Sequence, residues 1–328
     1  MNVLLSIIMP SFNRNEKVIN NVKRLLPQLT SDEVELIILD NCSPTPVEKS
    51  LREVLTSTEL SQTKVIRNRA NLGMTGNSLR IFEVGEGEFI WSLCDDDEVQ
   101  LGAIEAVLQG IKANRDSAYL WFPVRGGPQH HKPGRYQGIG AAIQAEPNLF
   151  FIALSSCVFR RNFFMARIRI GYLYSYSWAS FMCPLLAEMD NETNSVFISD
   201  IVVAQAGTVD SNNKWSKLDA CLGMRTLLEL PMSRVSRECL RQSIDSFTFS
   251  TSRLFLDSAA LHDSQRWELF RIFLARRYPP LSPQLMLWLG ISAFTEAAPE
   301  LARWGIKFIE RLLRRPLLLD VEDRFERS

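Results

Sequence analysis

The first hundred residues alternate short apolar runs with stretches of helical periodicity, and this alternation limits the fold more than any other feature. It is the βαβ signature of a mostly parallel sheet. Four runs stand out: Leu4–Met9, Glu35–Leu39, Lys64–Ile66 and Phe89–Leu93. Each is rich in Ile, Val, Leu or aromatics and short enough to be a buried strand. Helices are expected between them over Asn15–Leu29, over Val47–Leu55 after the prolines at 44 and 46, and over Met74–Val84 after a glycine turn at Gly73.

Beyond the fourth run, Ile104, Val107, Leu108 and Ile111 recur at helical spacing and make one apolar face of a further covering helix. Ala118–Val124 reads as a fifth strand. Arg125–Gly138, with several glycines and prolines and the pair His130 and His131, reads as a long loop of the kind that covers a site. SSCVFRRNFF reads as a strand that ends in a basic turn before a helix, and Val196–Ala204 as one more strand. From Leu218 the pattern is helical. The expected division is therefore a catalytic domain over 1–217, with a donor half at 1–124 and an acceptor half at 125–217, and a helical region over 218–328.

Lysine plus arginine equals aspartate plus glutamate at 37 each, so no global field draws in nucleic acid or an anionic membrane. The cysteines Cys42, Cys94, Cys157, Cys183, Cys221 and Cys239 are scattered singly, without a C-x-x-C pair. They read as free thiols in a reducing compartment, and with no export signal at Met1–Pro10 the expected location is cytoplasmic. The longest apolar run, Leu285–Phe294, is about half of the roughly 20 residues that a spanning helix needs.

Open parallel sheets bind ligands beyond the carboxyl ends of their strands. Here those ends are polar: Pro10-Ser11-Phe12-Asn13-Arg14 after the first run, Asp40-Asn41 after the second, Asn68 to Gly73 after the third, Asp95-Asp96-Asp97 after the fourth. Three consecutive carboxylates repel one another unless a cation sits among them, and hard oxygen ligands suit Mg²⁺ or Mn²⁺ bridging to a diphosphate. A helix N-cap accounts for one of the three, not all. Asp40 has two readings, a ribose or base contact and an Asx turn leading into Ser43 and Pro44. Gly73 and Gly76 allow close approach of phosphate, but no G-K-[ST] follows, which excludes a P-loop ATPase.

The texts SIIMPSFNRNEKV, ELIILDNCSP, NRANLGMTGNSLR and FIWSLCDDDEV, in this order, resemble glycosyltransferase family 2 with the GT-A fold over roughly residues 4 to 100. The resemblance implies an α/β fold: a Rossmann-like mixed, mostly parallel sheet flanked by helices, with the helical C-terminal region appended. It further implies a metal-dependent, inverting transfer of a sugar from a nucleotide-sugar donor to an acceptor hydroxyl, a glycan or lipid-linked sugar of bacterial cell-surface polysaccharide (O-antigen or capsule). By position, Pro10, Ser11 and Phe12 would line the nucleobase pocket with Asn13 and Arg14 beside them. Asp40 would contact base or ribose, and Asn71 and Gly73 would sit near the nucleotide. Asp95 and Asp97 would be the ends of a D-x-D metal signature for Mn²⁺ or Mg²⁺, with Asp96 between them in the donor site.

The chain departs from the family where an acidic pair is expected: it has Tyr174-Ser175-Tyr176-Ser177-Trp178. Asp190, with Glu188 near it, is the carboxylate left as base, against the alternative of a solvated helix end. Trp178 and Trp215 either stack on a sugar or belong to the core. In the segment Leu301–Arg315, Arg303, Lys307, Arg311 and Arg314 oppose Leu301, Trp304, Phe308 and Leu312, a pattern that fits a peripheral membrane contact or a helix packed on the domain. Two other functions use the same sheet: a non-catalytic nucleotide-sugar or membrane-binding module, and a sugar-nucleotide pyrophosphorylase. The second calls for a Gly-rich loop that PSFNRN lacks.

Overall fold

A computed structural model describes residues 3–126, 131–147, 149, 154–175, 179–190, 194–207, 224 and 226–247. His130, Trp178, Trp215, Leu285–Phe294, Leu301–Arg315 and the boundary expected after residue 217 lie outside them. Contacts group residues 1–214 with 223–244 in one compact unit and residues 215–222 with 245–328 in a second. The first unit therefore reaches past residue 217.

Its elements begin β1 (Leu5–Ser11), α1 (Asn15–Leu25), β2 (Val34–Asp40), α2 (Val47–Arg52), α3 (Ser57–Ser61), β3 (Thr63–Arg67), α4 (Gly73–Val84) and β4 (Phe89–Ser92). The four apolar runs are thus strands. They pair in parallel in the order β3-β2-β1-β4. The first helix stops four residues short of its expected end and passes into a 3₁₀ turn, Leu26–Gln28, because Pro27 brings no N–H to the α ladder. The second ends at Arg52, short of Leu55, and a separate helix, α3, starts beyond it from a capping box in which Thr56 and Glu59 satisfy each other's backbone N–H groups.

The chain continues through β5 (Glu98–Val99), α5 (Ala103–Ala113), β6 (Tyr119–Trp121), β7 (Val124–Arg125), β8 (Gly134–Gln137), α6 (Gly138–Ala145), β9 (Cys157–Arg160), α7 (Arg161–Met165), α8 (Ile168–Leu173), α9 (Cys183–Met189), β10 (Ser195–Ile198), β11 (Ala204–Gln205) and α10 (Arg234–Phe247). The large sheet has eight strands in the order β3-β2-β1-β4-β9-β6-β10-β8, with β9 and β8 antiparallel to the rest. A second sheet joins β5, β11 and β7.

Two expectations fail at the same place for the same reason. The fifth strand, read as Ala118–Val124, breaks after Trp121, and the strand read as Val196–Ala204 breaks after Ile198. In both cases the chain leaves the large sheet and re-pairs in the small one, where Pro123 offers its carbonyl to Val203 N–H. The segment read as one loop, Arg125–Gly138, contains the edge strand β8, which returns along β10 with Gly134 opposite Ile198.

Leu5, Ile7, Met9, Leu36, Ile38, Trp91 and Leu93 point to one face, where Val18, Val22 and Leu25 of α1 and Ile104, Val107 and Ile111 of α5 cover them. Fully burying each such side chain contributes about 1.5–3 kcal/mol. On the other face Phe82 of α4 packs edge-on against Phe159 of β9, with ring centroids 5.1 Å apart, and Phe164 of α7 meets Phe159 at 5.7 Å. Trp91 and Trp121 are core residues, wholly buried. Among the described residues no helix is long and apolar enough to cross a membrane.

Candidate active site

The carboxyl ends of β1, β2 and β4 meet at the switch point of the sheet, since β1 is flanked by β2 on one side and β4 on the other. Pro10 stands in this central strand without disrupting it. Ile8 O accepts from Leu93 and Ser11 O accepts from Asn41, so even positions turn toward β4 and odd ones toward β2. β4 pairs with β1 no further than Ile8, and the N–H that Pro10 lacks has no strand to meet. Beyond Ser11, Asn13 adopts a left-handed conformation (φ 57°), its N–H held by Ser43 Oγ at 2.9 Å. Cys42, on the adjacent strand end, is left-handed too (φ 65°). Asparagine enters this region more readily than most residues, whereas a left-handed cysteine is uncommon.

Asp40 is wholly buried, and its carboxylate accepts from Ser43 N–H at 2.8 Å, from Val47 N–H at 3.3 Å and from Arg67. The carboxylate closes the turn to Ser43, three residues on and so one residue wider than an Asx turn, and it also takes the first N–H of α2. Its neighbour Asn41 faces the next loop: its amide donates to Asn71 Oδ1 (2.8 Å) and Gly73 O (3.2 Å) and accepts from Leu72 N–H (3.0 Å) and Asn68 (2.9 Å). Asn71 in turn accepts from Gly73 N–H, and Gly73 takes the left-handed turn (φ 71°) that starts α4. A Cβ on Gly73 would meet no atom within 4 Å, so this turn opens on free space. Leu72 and Met74 on either side of it in the chain, and Phe12 at the end of β1, are half-exposed apolar side chains.

The aspartates diverge. Asp95 and Asp96 both accept from Arg14 Nη1, at 2.8 and 3.0 Å. Asp97 turns inward, where Oδ2 accepts from Ser155 Oγ at 2.6 Å and Oδ1 from Gly207 N–H at 3.2 Å. Asn21, on the buried face of α1, donates to the carbonyls of Asp95 (3.1 Å) and Asp97 (2.7 Å), so the loop is fixed by its backbone from one side and by Asp97 from the other. Burial raises the Asp95 carboxyl, with Arg14 and Ser11 pulling it back. Burial likewise pushes Asp97 up to about 6, against the Ser155 hydroxyl and with the help of the Asp96 charge. The family resemblance implied Asp95 and Asp97 as the metal pair; in the structure Asp95 and Asp96 share the Arg14 guanidinium, and Asp97 is held by Ser155 and Gly207.

Asp190 ends α9 and accepts from Ser233 N–H at 2.6 Å, just before α10 begins. Burial works to raise its carboxyl, but the Ser236 and Ser233 hydroxyls and the Ser233 N–H outweigh it and the pKa is lowered. Glu188 pairs with Arg167. No described hydrogen bond or ion pair joins either to the aspartate loop. His131 lies edge-on to Trp121, with centroids 5.2 Å apart. A groove of about 380 Å³, lined by Thr30, Glu35, Gln62 and Lys64 among others, lies at the opposite, amino-terminal ends of β2 and β3.

The family model for glycosyl transferase family 2 matches residues 6–172, slightly more than half of the chain and the whole of the edge just described. The chain belongs to glycosyl transferase family 2. This family 2 glycosyltransferase is 32% identical over 122 residues to an uncharacterized glycosyltransferase of Haemophilus influenzae, covering 37% of this chain and 39% of the relative. It is 33% identical over 97 residues to a protein of Escherichia coli (strain K12) provisionally named a colanic acid biosynthesis glycosyl transferase, WcaA, covering 30% and 34%. The chain thus spans well under half the length of these curated relatives. Among solved structures, S. aureus TarS residues 1–349 in complex with UDP-GlcNAc aligns over 80% of this chain and 78% of that one, with a TM-score of 0.60 and 17% identity. A mannosyltransferase of Pyrobaculum calidifontis, PcManGT, in complex with GDP-Man and Mn²⁺, aligns over 90% and 87%, with a TM-score of 0.54 and 10% identity. These likenesses establish the GT-A fold of the family 2 glycosyltransferase.

Four residues of its site escape a reading of the sequence: Asn21, Ser155 and Gly207 at the aspartate loop and Arg67 at Asp40. Asn21 alone leaves a trace, a polar residue in line with Val18, Val22 and Leu25 on a face otherwise apolar.

Proposed function

We propose that the chain is a nucleotide-sugar-dependent glycosyltransferase whose donor lies across the carboxyl ends of β1, β2 and β4. The observation that carries this reading is the convergence of Asp95 Oδ1 and Asp96 Oδ2 on a single cationic nitrogen at the open end of β4. Two carboxylate oxygens that satisfy one cation fit a divalent ion, which is held by one or two carboxylates and completed by water and phosphate oxygens. Mn²⁺ or Mg²⁺ there would neutralise charge developing on a leaving diphosphate. The chain's own part is to present the carboxylates: Asn21 fixes the loop, Asp97 anchors it through Ser155 and Gly207, and Asp40 stiffens the neighbouring turn.

Phe12, Leu72 and Met74 form the apolar rim on which a nucleobase would lie, with Asn41 and Asn71 as its polar neighbours. Pro10 and Ser11 set the floor. An inverting displacement needs a carboxylate to deprotonate the acceptor. Asp190 is the sequence candidate, but its oxygen held by Ser233 N–H and its lowered pKa make it a weak base, and a structural cap is the better reading. Acceptors in bacterial surface polysaccharide, cytoplasmic action and membrane contact through residues 301–315 belong to the same proposal.

The test is incubation of the full chain with UDP-, dTDP-, GDP- and CDP-sugars and Mn²⁺, reading release of the nucleoside diphosphate and the anomeric configuration of the product by NMR. Release from one donor class, with an inverted product, supports the reading. Absence of release from every class, with and without a glycan acceptor, counts against it.

A further inference from the structure

Arg14 reaches the aspartate loop because the left-handed turn at Asn13 swings the chain across the end of β1 just before α1 begins. Its Nη1 lies 2.8 Å from Asp95 Oδ1 and 3.0 Å from Asp96 Oδ2. Asp95 is 6% exposed, Asp96 35% and Arg14 25%, so the guanidinium closes the mouth of a pair of which one member is buried. Burial opposes the charge on Arg14, but the Asp95 and Asp96 carboxylates outweigh it and its pKa is raised. The guanidinium is a permanent cation.

The point that Nη1 occupies is also where a divalent ion would take the same two oxygens. Two cations cannot share it, so an entering ion must evict the guanidinium, and the eviction is favourable only if the guanidinium finds another anion. A diphosphate is such an anion, matched to the fork of donors that arginine carries.

We propose that Arg14 is a displaceable counter-cation, which closes the Asp95–Asp96 pair in the absence of donor and moves onto the donor's diphosphate when a divalent ion takes its place. This rests on the nucleotide-sugar reading above and assigns Arg14 as a positioning residue. Metal and diphosphate are then coupled through one side chain, each favouring the other.

The test uses the full chain, wild type and Arg14→Gln, with two probes, Mn²⁺ alone and the preformed Mn²⁺–pyrophosphate complex. Calorimetry measures each affinity, and thermal unfolding checks the fold. The expected result is a change of opposite sign: Arg14→Gln binds Mn²⁺ alone roughly tenfold more tightly and Mn²⁺–pyrophosphate roughly tenfold more weakly than wild type. A merely structural Arg14 would weaken both. If Arg14→Gln does not fold, Arg14→Met takes its place, because it keeps the aliphatic stem and removes both the charge and the fork, and the same two signs are expected. Unchanged or weaker binding of Mn²⁺ alone overturns the role of Arg14. Failure of wild type to bind Mn²⁺–pyrophosphate overturns the donor-site reading and the inference with it.

Discussion

Gly207 lies so close to Asp96 that a Cβ on it would stand 1.8 Å from the Asp96 carbonyl oxygen. The same glycine donates its N–H to Asp97 at 3.2 Å, so the chain after β11 is pressed flat against the aspartate loop. The conformation of Gly207 is not left-handed, and the demand on it is purely steric. Gly207→Ala must therefore displace one backbone or the other, at a cost of about 2 kcal/mol or more. Urea unfolding measures the loss, and Mn²⁺-dependent nucleotide binding should weaken with it. A variant of unchanged stability would mean that the contact yields freely.

Asn21 satisfies the carbonyls of Asp95 and Asp97 from within the core. Asn21→Ala leaves both buried acceptors without it, a loss of about 1–3 kcal/mol for each unsatisfied group. The aspartate loop should loosen first, which hydrogen exchange at residues 95–99 would register before the strands of the sheet. Protection unchanged there would contradict the anchoring role.

The raised carboxyl of Asp97 gives stability a pH dependence of known sign. From the ordinary value of 3.8, burial lifts it to about 6 in the folded chain. Between those two values the unfolded chain loses the proton and the folded chain keeps it, so the contribution of Asp97 to stability is greatest below pH about 4, falls as pH rises, and levels off above about 6. The full drop is about 3 kcal/mol at most. Asp97→Asn removes the ionisation: in EDTA it should match wild type near pH 4 and exceed its stability by about 1–3 kcal/mol at pH 7.5. Parallel stability curves for the two proteins would show that Asp97 ionises freely in the fold.

Phe12 is half-exposed at the end of β1, where an apolar side chain gains nothing from the solvent. As the proposed stacking surface for a nucleobase it would contribute about 1–3 kcal/mol. Phe12→Ala should weaken binding of the nucleoside diphosphate roughly tenfold to a hundredfold and leave binding of Mn²⁺–pyrophosphate as it was. Equal loss for both probes would place the effect in the fold.

The parallel half of the sheet was legible because β1, β4 and most of β2 are buried on both faces and read as unbroken apolar runs, and the polar text after each run marked the ligand edge. In the other half β6, β9 and β10 were legible as runs, but the points where the first and last of these leave the large sheet, and the small sheet itself, were not. β7 and β11 are two residues long, and no periodicity survives at that length. The switch from one sheet to the other at Pro123 depends on a partner, Val203, far along the chain. The site divides in the same way. Asp95–Asp97 stand out by adjacency, whereas their supports lie 76, 58 and 110 residues away at Asn21, Ser155 and Gly207. Which aspartates share the Arg14 guanidinium is likewise set from 81 and 82 residues away, whereas the pair Asp95 and Asp97 came from the family resemblance.

The most direct measurement is calorimetric binding of UDP, dTDP, GDP and CDP to the full chain, each with and without Mn²⁺, alongside Asp96→Ala. The expected result is that one nucleotide binds, that Mn²⁺ tightens it, and that Asp96→Ala abolishes the tightening while the chain stays folded. Binding of no nucleotide, or Mn²⁺-dependent binding unaltered by Asp96→Ala, would contradict a donor site at the end of β4.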